Sequence, residues 1–180
     1  MSPTTYITDA VTLGTGLLLA RLILGVLMVA HGGQKLFGWL GGYGLAGTAG
    51  FFEQLGFRPG RLFVVTASLS EVVSGVLIAL GLFGPVGPAL LLSVMIVAAV
   101  SVHWKGGLFA GTNGIEVPLL YATGALALAL TGAGPFSLDA VLGIDHNWTP
   151  ALKVAALAVG VVGGVVNLLA RRSVTVAATA

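Results

Sequence analysis

The sequence predicts an all-α membrane protein, a four-helix transmembrane bundle with an additional C-terminal transmembrane helix. Three observations predict it. Of 180 residues, 57% are hydrophobic and only 8% are charged, whereas an ordinary soluble domain carries roughly 25% charged residues. The mean hydropathy is +1.04, a value from which no water-soluble surface can be built. Apolar runs of near-spanning length also follow one another, and a bilayer core about 30 Å thick needs about 20 such residues per helix.

The first run, 11–30, has no Lys or Arg before it and exceeds a signal-peptide core in length, so it reads as a retained helix. The second and third, 62–83 and 85–102, meet at Gly84-Pro85. Proline is well placed in the first turn of a helix, so these two runs predict a tight antiparallel hairpin. A fourth run, 117–133, completes a unit over residues 1–140. Residues 141–180 add a fifth run, 154–170, and a short tail. Between the first two spans, residues 48–55 have the length and polarity of a short interfacial helix, with a re-entrant loop as the rival. Gly160, Gly163 and Gly164 predict a close helix approach on the last span.

Loop charges set the orientation, because Lys and Arg in short loops stay in the cytoplasm. Lys35, Arg58, Arg61, Lys105, Arg171 and Arg172 all fall on one side. Asp9, Asp139 and Asp145 fall on the other, with Lys153 at the foot of the last span. A multi-pass protein with its N-terminus outside and its C-terminus cytoplasmic follows. Its first partner is the lipid bilayer. Eight Lys and Arg are far too few for a nucleic-acid footprint. The absence of cysteine removes disulfides, thiol redox chemistry and thiolate metal sites.

Two charges stand inside apolar runs, Arg21 and Glu71, each with about ten helical residues on either side. That spacing puts both near the midplane, where a lone charge costs at least about 2.5 kcal/mol, so the expectation is that they pair with each other. The pair is either a polar clasp fixing the register of two helices or a site for a headgroup or a proton step. A second group gathers at the cytoplasmic ends of the spans: His31, Gln34, Lys35, His103 and Glu116, with Trp104 and Tyr121 nearby. Histidine beside a carboxylate and a lysine suits a proton relay or an anchor for a quinone carbonyl. The alternative is that these are interfacial residues wetted by headgroups, as Trp104 in particular suggests. His31 and His103 are also candidate axial ligands of a haem, or metal ligands with Glu116 as a third, although no metal is assigned.

The same residues carry a resemblance to a known family. Arg21-Leu-Ile-Leu-Gly25, His31-Gly-Gly-Gln-Lys35, Glu71 followed by Gly75, and Leu80-Gly-Leu-Phe-Gly84 come in that order. They are followed by His103, the 107–114 loop, Glu116 and the Gly132-Ala-Gly-Pro-Phe-Ser-Leu-Asp139 ending. In order and spacing over residues 17–139 the chain resembles the DoxX family of small bacterial and archaeal membrane proteins, which includes the DoxD type. The resemblance implies a four-helix unit in the cytoplasmic membrane, usually described as an oxidoreductase, with relatives linked to thiosulfate:quinone oxidation or to redox-defence enzymes. By position, Arg21, His31, Lys35, Glu71, His103 and Glu116 match its polar pattern, and the 154–170 span lies beyond the common unit.

The leading functional expectation is a subunit of a redox or respiratory membrane complex that interacts with quinone, partnered by other membrane redox proteins. The cofactor is open, with quinone ahead of haem. The alternative is a non-catalytic scaffold or accessory subunit packed against a larger membrane complex. A small transporter is a weaker third reading, because no inverted repeat is evident.

Overall fold

A computed structural model describes residues 3–172. The tail beyond residue 172 lies outside the described residues. Helix α1 spans Pro3–Phe37, α2 Gly44–Gln54, α3 Gly60–Leu80, α4 Val86–Ala98 and α5 Glu116–Thr131. The short α6, Leu138–Val141, and the long α7, Pro150–Leu169, complete the chain. Among the described residues there is no strand. Four helical segments are long and apolar enough to cross a membrane: Asp9–Phe37, Gly60–Leu80, Val86–Gly106 and Pro150–Leu169. Helix α5, at 16 residues, is about 24 Å long. The protein is therefore the all-α membrane protein the sequence predicts, with α5 shorter than its four helices of spanning length.

The largest departure is α1, which runs seven residues past the expected end at residue 30. The Gly32-Gly33 pair reads as a break, yet a glycine inside a helix costs only about 1 kcal/mol. Here its missing side chain is what packing requires, since a Cβ on Gly32 would lie 2.7 Å from the Ser68 carbonyl oxygen. The helix stops where Gly38 takes the left-handed conformation, at φ 75°. Helix α2 likewise begins four residues earlier than expected and packs on α3 and α1.

Helices α1 and α3 form the main antiparallel pair. Gly25 faces Gly75 reciprocally, and a Cβ on either would sit 2.5 Å from the other's carbonyl oxygen. Close backbone approach of this kind is how small residues join membrane helices. The turn after α3 is made by Gly81 at φ 63°, and α4 returns as the expected hairpin. Met28, Ile78, Leu91, Met95, Ala125 and Leu128 join α1, α3, α4 and α5 in one core. A second cluster, Leu92, Ala129 and Leu157, ties α7 to α4 and α5. Beyond Ala98, α4 widens into a π turn over Ala99–His103 and then tightens over Trp104–Gly106. A π turn enlarges the helix locally and often marks a functional site.

This register corrects one expectation. Gly25 lies level with Gly75, and Gly32 with Ser68 and Val72, so Glu71 is level with the stretch near Val29 and Arg21 with the α3 terminus near Gly81. The two charges are about eight residues, or roughly 12 Å, apart along the axis, and they do not pair. The expectation failed because it centred Arg21 in a 20-residue span, whereas α1 is 35 residues long.

Candidate functional site

Two buried polar clusters stand at opposite ends of the α1 and α3 pair. At the end that carries Lys35, a cavity of about 770 Å³ opens among α1, α2, α3, α4, α5 and the last turns of α7. Its most buried ionisable wall residue is Glu71, 3% exposed. Both carboxylate oxygens of Glu71 accept from Lys35 Nζ, at 2.5 and 2.6 Å. Side chains on a helix lean toward its N-terminus. A long lysine on the last turn of α1 therefore reaches back toward the level of Glu71, while Arg21 leans away from it. Lys35 was read as a loop residue, and its place on α1 is what makes it the partner.

His31 lies one turn before Lys35 on the same wall, within electrostatic reach of both Lys35 and Glu71. Its ring meets Tyr121 edge-on, with centroids 5.9 Å apart and planes at 80°. The Tyr121 hydroxyl is 3.5 Å from His31 Nε2. From the π turn of α4, His103 adds a second imidazole to the wall. Its Nδ1 donates to the Asn113 carbonyl at 3.1 Å, which leaves Nε2 as an acceptor in the neutral ring. Much of the remaining lining is apolar or aromatic, including Phe51, Phe52, Phe57 and Phe63. The arrangement combines an apolar slot with donors and acceptors concentrated at one side, the usual make-up of a small-molecule site.

Glu116 is not part of this wall. Its Oε2 accepts from the Ala110 amide at 2.7 Å and fastens the loop that precedes α5. Among the described residues no three His, Asp or Glu stand together as a metal set, so the trio of His31, His103 and Glu116 is not assembled. Trp104, 67% exposed, points away from the core, as an interfacial tryptophan does. Gln34 does line the cavity.

The opposite end holds Arg21 and Asp139, 2% and 1% exposed. Arg21 donates through Nη2 to the Phe136 carbonyl, while its Nε and Nη1 are buried without a partner. Asp139 accepts from the Phe83 amide at 2.8 Å, the Gly84 amide at 2.7 Å and Trp148 Nε1 at 2.9 Å. Its own amide donates to Gly81 at 3.0 Å. Asp139 is also the opposite charge that acts on Arg21. The carboxylate thus clasps the α3 to α4 turn, with Ser137 capping α6 beside it through a bond to Ala140. Neither Arg21 nor Asp139 lines the cavity.

Sequence reading missed Asp139 and Trp148 as partners, and it missed Asn167 and Thr48 on the cavity wall. Asn167 did leave a signal, as a lone polar residue among the apolar residues of α7 between Lys153 and Arg171.

The family model described as DoxX matches residues 16–104, from within α1 to the tightened end of α4. No curated protein and no solved structure matches the chain.

Proposed function

This chain belongs to the DoxX family, and from that premise we propose that it is an integral subunit of a membrane redox complex whose cavity binds a quinone. The observation that carries the reading is the 770 Å³ cavity whose apolar wall is interrupted by Lys35, Glu71, His31 and Tyr121. Its volume falls within the roughly 300–1,000 Å³ of small-molecule sites, and its aromatic lining suits a flat ring. Quinone, when bound, supplies two-electron, two-proton chemistry. The residues here do the rest. Lys35 Nζ and the Tyr121 hydroxyl are donors for a ring carbonyl. Glu71, bonded to Lys35 through both oxygens, and His31 beside them form a chain along which a proton can pass between the cavity and the basic end of the bundle.

Electrons come from a partner redox protein docked at the membrane surface, since the chain has no cysteine and no dinucleotide fingerprint with which to carry them itself. The basic residues Lys35, Arg58, Arg61, Lys105, Arg171 and Arg172 share one end of the bundle. By the positive-inside rule that end is cytoplasmic and the N-terminus is outside. A haem held by His31 and His103 fits less well, because the His31 ring is already engaged edge-on by Tyr121.

The test is to purify the full chain in mild detergent, extract its lipids, analyse them for quinone, and record a visible spectrum. Quinone retained near one per chain supports the reading. A haem absorption band, or neither species together with normal partner-dependent activity of Glu71→Gln, overturns it in favour of haem or of a scaffold subunit.

A further inference from the structure

Helix α7 lies outside the matched residues 16–104, yet it forms part of the cavity wall. Gly160, Gly163, Gly164 and Asn167 fall on one helical stripe. Gly160 abuts the Ala89 carbonyl, and a Cβ on Gly164 would lie 3.0 Å from that of Ser93. One turn past Gly163, on this face, Asn167 lines the cavity. The end of α7 is then fixed to the α2 to α3 corner. Arg171 Nε donates to Leu55 at 3.0 Å and the Arg172 amide donates to Gly56 at 2.9 Å. Arg171 also sits 5.6 Å over the ring of Phe57, itself a wall residue.

The orientation of the Asn167 amide follows from its partner. Nδ2 donates to the Gly163 carbonyl at 2.9 Å. A carbonyl only accepts, so the amide cannot be turned the other way and keep this bond. Oδ1 takes no hydrogen bond from any described residue. Asn167 therefore gives the cavity an acceptor in Oδ1 beside the second hydrogen of Nδ2, and with His103 Nε2 it is an acceptor on a wall where Lys35 and Tyr121 are donors. A polar side chain on an apolar helix is costly in a bilayer and is accommodated where it faces the bundle interior or a water-filled cavity.

We propose that Asn167 Oδ1 is a binding residue for a ligand hydroxyl, so that the cavity favours the reduced, hydroquinone form of its ring ligand over the quinone. This rests on the quinone reading of the same cavity. A quinone offers only carbonyl acceptors and leaves Oδ1 unpaired, while a hydroquinone offers a hydroxyl that pairs with it. An acceptor left without a donor is penalised more than a made bond is rewarded.

The experiment is a titration of the purified full chain with a decyl-substituted benzoquinone and, separately, with its hydroquinone under excess reductant. A reductant is harmless here because the chain has no cysteine. The wild-type chain is expected to bind the hydroquinone about tenfold more tightly. Asn167→Leu is expected to lose about five- to tenfold for the hydroquinone and clearly less, about threefold or under, for the quinone, which can take only the second Nδ2 hydrogen. Asn167→Ser, which keeps an oxygen acceptor, is expected to recover part of the loss and provides the reading if the leucine variant does not fold. Equal losses for both forms, or no loss, overturn the proposal and leave the quinone reading standing. Binding of neither form by the wild type overturns both.

Discussion

The two ends of the α1 and α3 pair each bury a carboxylate and hold a cation, yet they differ in what meets the carboxylate. At the Asp139 end three donors converge on one carboxylate, and the charges are enclosed by packed chain. At the Glu71 end a single lysine covers both oxygens, and the lysine itself is 26% exposed and borders open space. A fully enclosed charge with backbone donors is a device for holding a turn. A charge pair bordering a cavity retains freedom to meet a ligand or pass a proton. The contrast teaches that a buried ion in a membrane bundle is better judged by the space beside it than by its depth.

Substitutions break or sharpen this contrast, and the largest effect is expected where the carboxylate is most enclosed. Asp139→Ala removes the acceptor for three donors and the countercharge of Arg21. It is expected to lower stability by about 3–5 kcal/mol, measured as thermal unfolding in detergent. A change under about 1 kcal/mol would show that the clasp holds nothing. Next comes Gly25→Val, which forces α1 from α3 where a Cβ would sit 2.5 Å from a carbonyl oxygen. It is expected to cost about 1–3 kcal/mol and to weaken both ends together, with ligand binding as the second readout.

Glu71→Gln is expected to cost less, about 1–2 kcal/mol, because the partly exposed Lys35 can be rehydrated. Its effect should appear in ligand binding instead. Tyr121→Phe removes one hydroxyl from the wall and is expected to weaken quinone binding about threefold to tenfold, with stability nearly unchanged by the same thermal assay. Trp104→Ala, at an exposed side chain that does not line the cavity, is expected to stay within about 0.5 kcal/mol and to leave quinone affinity unaltered.

Much of the fold was legible because the signals were strong and local. The apolar runs, the Gly84-Pro85 hairpin and the Gly160 to Gly164 approach each rest on a few neighbouring residues, and helices do occupy those stretches, although α1 overruns its expected end. The site was legible as an inventory but not as a set of partners. His31, Lys35, Glu71 and His103 do gather, while Glu116 leaves them to hold a loop and Arg21 belongs to the other end. The mispairing came from the length of α1. An error of seven residues at a helix end shifts a side chain by about 10 Å, enough to exchange one ionic partner for another. Asp139 was hidden for a different reason, since two of its partners are backbone amides of a turn more than 50 residues away, and Trp148 is drawn in only as a third donor to that same carboxylate. Single-residue chemistry carries no trace of such contacts.

The most direct test of the account is a quinone titration of wild-type chain and Glu71→Gln, with thermal unfolding recorded on the same samples. The account predicts that Glu71→Gln, by releasing Lys35 from the place in which it serves as carbonyl donor, loses at least about tenfold in quinone affinity, equivalent to about 1.4 kcal/mol, while remaining folded with only a modest drop in its unfolding midpoint. Unchanged quinone affinity in the folded variant, or no quinone binding by the wild type, would contradict it.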